Sequence, residues 1–137
     1  MARIVQGDVM DKLYDRLVLP RGHYRLHVAV LTGLPASLVS DLAQALGRSP
    51  VQIAEWVGVS SLSAAMSLQA SEVFCRLVET LDALLELYEG DLEGALRWLT
   101  APNVVLANER PVELLATEAG TRAVQQAIHA IEYGLPV

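Results

Sequence analysis

Apolar residues recur every three or four positions along most of this chain, and glycine or proline interrupts them at short intervals. That period is the mark of short amphipathic helices, and no run alternates apolar and polar positions as a half-buried strand would. The expected fold class is all-α. A first helix is predicted over residues 8–18, with Val9, Leu13 and Leu17 on one face and a stop at Leu19-Pro20-Arg21-Gly22. Residues 23–31 suit helix or strand. From Pro35 a helix buries Leu38, Leu42, Ala45 and Leu46 and ends at Gly47, the residue type that takes the left-handed conformation beyond a last turn. Ser49 caps a short helix with Pro50 at its first position and Ile53, Ala54 and Val57 inward, and Gly58 stops it. Ser60 is placed as the cap of another over 61–66. The longest helix is predicted from about Ala70 to Tyr88, with Val73, Phe74, Leu77, Val78, Leu81, Leu84 and Leu85 forming a wide stripe. That stripe reads as a core spine, with a homodimer seam as the alternative. Asp91 caps the helix carrying Leu96, Trp98 and Leu99, and Pro102 ends it. Pro111 opens a single turn through Leu115. Thr117 caps the last helix, whose inner face is Val124, Ala127, Ile128 and Ile131, with Gly134 just past its end.

Composition narrows the setting. The chain has 137 residues, 53% of them apolar, and one cysteine, Cys75. No disulfide can form within it, which fits a reducing cytoplasm. The N-terminus has no basic start followed by an apolar core, so no signal peptide is expected. No stretch reaches the roughly 18 consecutive apolar residues of a membrane helix, so no membrane role is expected. The excess of apolar residues suits a protein interface instead. Net charge is −6, unevenly spread: residues 1–48 hold six basic and four acidic side chains, the remainder four and twelve. So acidic a body repels nucleic acid except at a local patch, and favours a basic protein partner.

The segment Ser49–Ser67 has the layout of a helix-turn-helix, with Ala54 allowing close approach and Gly58 at the turn. Reading DNA needs side-chain donors and acceptors for base edges and cations for phosphates. No lysine or arginine lies between Arg48 and Arg76. The DNA-contact candidates are therefore Arg48 and the hydroxyls of Ser60, Ser61 and Ser63. Catalysis finds no footing. No nucleophile elbow, phosphate-binding loop or dinucleotide fingerprint is present. His23 and His27 stand at a ligand-like spacing without an identifiable third ligand. No enzyme activity, metal or cofactor is expected.

Over the last third, Trp98-Leu99, Pro102-Asn103, Leu106, Pro111, Leu114-Leu115, Gly120, Val124 and Gly134 form an ordered set. In that order and at about those spacings the last third resembles the toxin-binding domain of the Xre/MbcA/ParS antitoxins. Ala107-Asn108 stands where relatives often have two glycines. The helix-turn-helix, with Leu34-Pro35 and Leu46-Gly47-Arg48-Ser49-Pro50 before and at its start, resembles the family's Xre-type N-terminal half. The resemblance implies an antitoxin of a type II toxin-antitoxin module, with a helix-turn-helix region at 1–68 packed with a toxin-binding domain at 69–137. It also implies a cognate RES-domain toxin that consumes NAD or transfers ADP-ribose from it. The expected assembly is a homodimer within a hetero-oligomer, with operator DNA as a further partner.

The residues suggest a means of blocking such a toxin. Gly134 ends the last helix sharply, so Leu135, Pro136, Val137 and the terminal carboxylate project as a short stiff tail suited to a nucleotide cleft. Tyr133 is the aromatic anchor beside it. Asn103 and Arg110, at proline-flanked turns, complete the expected toxin-binding set. The competing reading is a free-standing helix-turn-helix repressor whose C-terminal half serves dimerisation.

Overall fold

The computed structural model describes residues 12–62 and 64–134. Among them the backbone forms eight α-helices and one 3₁₀ turn, with two isolated antiparallel bridges and no strand. Contacts divide the chain at residues 75 and 76 into two units.

The first unit, residues 12–75, holds α1 (Leu13–Arg16), α2 (His23–Thr32), α3 (Ser37–Leu46), α4 (Pro50–Val57) and the first turns of α5 (Leu68–Leu87). Of the helix expected over 8–18, only Leu13–Arg16 is helical among the described residues. The segment that suited helix or strand is helix α2, but it is a shallow one. Val30 is its single buried residue, while Tyr24, Val28 and Leu31 are exposed at spacings of four and three. Helices α3 and α4 pack together through Leu38, Val39, Leu42, Leu46, Ile53 and Val57, all buried. Each such side chain withdrawn from water contributes roughly 1.5–3 kcal/mol. Gly47, at φ 66°, ends α3, and the Ser49 hydroxyl accepts the Val51 N–H at 3.1 Å at the start of α4. A three-residue turn, Gly47-Arg48-Ser49, therefore joins two packed helices, which is the helix-turn-helix arrangement.

That arrangement sits one helix earlier than the sequence suggested. No helix follows α4 over the described residues of 59–67. The Met66 N–H donates to the Leu34 carbonyl at 2.8 Å, and Ala65 forms a bridge with Pro35. Met66 is 4% exposed, so the link is held down by a backbone bond and one buried side chain. Serines favour this outcome, because their hydroxyls compete for backbone partners. Helix α5 begins earlier than expected, since Ser67 rather than a later residue caps it, accepting the Ala70 N–H at 3.0 Å. The buried Ser71 hydroxyl accepts the Leu34 N–H at 3.0 Å and ties α5 to the segment entering α3.

The second unit, described over residues 76–134, contains the rest of α5, then α6 (Leu92–Thr100), a 3₁₀ turn (Val104–Leu106), α7 (Pro111–Leu114) and α8 (Glu118–Glu132). Leu77, Leu81, Leu84, Leu99, Leu115 and Val124 are fully buried. The α5 stripe is thus a core spine along its length, as its spacing predicts. The expected caps are in place: Asp91 Oδ1 accepts the Gly94 N–H at 3.2 Å and Thr117 Oγ1 accepts the Gly120 N–H at 2.9 Å. No helix among the described residues is long and apolar enough to cross a membrane.

Candidate functional site

The segment between α6 and α7 is a closed, stiff turn. Its ends are joined by a bridge between Asn103 and Glu109, with the Asn103 N–H donating to the Glu109 carbonyl at 3.0 Å. Asn103 Oδ1 accepts the Val105 N–H at 2.9 Å, and the Asn103 carbonyl accepts from Leu106 at 3.0 Å and Asn108 at 2.8 Å. One asparagine thus organises the whole turn. Ala107 and Asn108 then take consecutive left-handed conformations, at φ 58° and 65°, so the chain reverses there without the glycine pair common in relatives. Leu106 anchors the turn at 8% exposure, whereas Val104 and Val105 face solvent at 72% and 51%.

Arg110 fastens the turn to the helices on either side. Its Nε donates to the Thr100 carbonyl at 3.0 Å, at the end of α6, and its guanidinium lies 3.6 Å from Glu113 on α7. The Thr100 hydroxyl in turn donates to the Leu96 carbonyl at 2.8 Å. Asn103 and Arg110, both singled out as surface contacts, therefore also hold this turn in shape. Arg76 on α5 donates to the Leu115 carbonyl at 3.2 Å, tying the spine to the exit of α7.

Helices α7 and α8 meet at a point where only glycine fits. A Cβ on Gly120 would stand 2.1 Å from the Leu114 carbonyl oxygen, well inside contact distance. Leu99, Leu115, Val124 and Ile128 are core residues, as expected; Trp98 and Leu114 are half-buried. Helix α8 closes with the Tyr133 N–H donating to the His129 carbonyl at 3.2 Å, and Gly134 follows at φ 71°. The Tyr133 ring is 70% exposed and meets the His129 ring edge-on, with centroids 4.5 Å apart. Leu135, Pro136 and Val137 lie outside the described residues.

The DNA-contact candidates do not share one helix. Arg48 lies in the α3–α4 turn, Ser60 and Ser61 are exposed in the irregular link after α4, and Ser63 lies outside the described residues. The solvent face of α4 presents Val51, Gln52 and Glu55. His23 and His27 are exposed on α2, and no three histidine, cysteine or acidic side chains converge among the described residues. Sequence reasoning passed over the two exposed valines. The signal for them was the Asn103 cap followed by Ala107-Asn108, which turns the chain twice in six residues, with Leu106 turned in and Val104 and Val105 left facing out.

Comparison with known proteins bears on this second unit. Residues 80–134 match the antitoxin Xre/MbcA/ParS C-terminal toxin-binding domain. A protein called Antitoxin Xre from Yersinia enterocolitica is 34% identical over 67 residues, covering 49% of this chain and 45% of that protein's length. Another Antitoxin Xre, from Photorhabdus laumondii, is 25% identical over 118 residues and 80% of each chain. The matched segment runs from the second half of α5 through the Asn103 turn to Gly134. By that match and these relatives, residues 80–134 carry a domain like the toxin-binding domain of the Xre/MbcA/ParS antitoxins, and the chain is similar to proteins called Antitoxin Xre.

Proposed function

We propose that this protein neutralises a RES-domain toxin encoded beside it, by seating its C-terminal segment in the toxin's NAD site. The observation that carries the reading is the toxin-binding domain at 80–134. The end of α8 supports the plug: Gly134 turns the backbone off the helix axis at φ 71°, and Tyr133 offers an exposed ring at the point of departure. Residues 135–137 are then the inserted segment, and Tyr133 packs against the rim of the cleft. Inhibition is steric, and no bond of the antitoxin or of NAD is made or broken by this chain.

We assign the working assembly as a homodimer bound to toxin. The exposed stripe of Tyr24, Val28 and Leu31 on α2 favours self-association. Operator DNA is a second partner, supported by the three-residue turn between the packed helices α3 and α4. The α4 face brings no cation, so phosphate contacts fall to Lys12, Arg16, Arg25 and Arg48 in the same unit. A band shift on the DNA upstream of the gene should weaken steeply with salt; no shift at low salt would remove that role.

The test of the main reading is co-expression with the adjacent toxin gene. Cells should grow, and the two proteins should elute together. Unrelieved toxicity beside a soluble, folded antitoxin would overturn it.

A further inference from the structure

Within residues 76–134 the large apolar side chains are buried or half-buried apart from Val104, Val105 and Tyr133, which are exposed. Two of the three are neighbours on the turn closed by the Asn103–Glu109 bridge. The same segment holds four arginines, no lysine and ten carboxylates, so the unit that carries the valines is strongly acidic as a whole. We infer that Val104 and Val105 are a second anchor for the toxin, docking in a small apolar recess on a cationic face outside the nucleotide cleft. This rests on the proposed function above and names a contact that the C-terminal plug does not supply.

Three features make this turn suited to docking. The bridge and the Asn103 cap fix its backbone before any partner arrives, so little backbone entropy is lost on binding. Valine is β-branched and stiff at χ1, so its side chain also arrives ordered. Arg110 is turned toward Thr100 and Glu113, while Glu109 is exposed on the same turn as the valines. A basic partner surface is then attracted over the Debye range, and the two methyl-rich tips give the close fit once it has arrived.

The experiment measures the Kd between this chain and the purified toxin encoded beside it. The variant V104T/V105T keeps side-chain shape but places hydroxyls where the recess is apolar, and should weaken binding by about tenfold or more. Its melting temperature should match that of the parent chain, since both positions are exposed. V18T, at an 88% exposed valine of the other unit, should bind as the parent does. E109K should weaken binding at low salt, with the gap closing as salt is raised. If the parent chain binds tightly and V104T/V105T binds equally well, the second anchor is wrong while the antitoxin reading stands. If E109K shows no salt-dependent loss, the cationic recess is wrong. If the parent chain does not bind the toxin at all, both readings fall.

Discussion

Ala107 holds φ at 58°, where its Cβ crowds the backbone at a cost of about 1–2 kcal/mol. The turn keeps that strain because four hydrogen bonds meet at Asn103 and Leu106 is anchored beneath it. Strain held by surrounding structure gathers at sites that must present a fixed surface. Gly120 shows the opposite economy, a residue whose missing side chain is what the structure needs. Its Cβ would meet a backbone oxygen at 2.1 Å, and a backbone atom cannot swing aside as a side-chain tip would. Gly120→Ala should therefore force the α7–α8 junction apart and cost about 3 kcal/mol in urea unfolding. A loss within 0.5 kcal/mol of zero, on the scale of an ordinary surface change, would show that the junction yields freely.

At the scale of elements, what could be read from the sequence was what local chemistry decides. Ser49, Asp91 and Thr117 are placed as caps because a cap oxygen reaches an N–H only two or three residues on, and all three make that bond. The α5 stripe was legible because Phe74, Leu77, Leu81 and Leu84 recur at the helical period and all are fully buried. The stretch after Gly58 was not. Its fate is decided by Leu34, some thirty residues away, whose carbonyl takes the Met66 N–H and draws the link out of helix. The helix-turn-helix was accordingly expected one helix too late, although its types of residue were recognised. In the candidate site, Asn103 and Gly134 announced their turns. The commitment of Arg110 to Thr100 and Glu113 depends on how α6 and α7 come together, which no local pattern reveals.

For the whole molecule, charge and apolar exposure point the same way. The net charge of −6 is carried by the segment from Arg76 onward, four arginines against ten carboxylates, and this is the segment that contains the toxin-binding match. An acidic body with a few exposed apolar points suits a basic protein better than a nucleic acid. The central claim is that residues 135–137 block NAD while the rest of the domain holds the toxin. It is tested most directly by NAD consumption by the purified toxin, titrated with the full chain and with a chain ending at Gly134. The full chain should stop turnover at equimolar addition, and the shortened chain should still bind through the Asn103 turn but leave most of the turnover intact. Equal inhibition by the two chains would contradict the account.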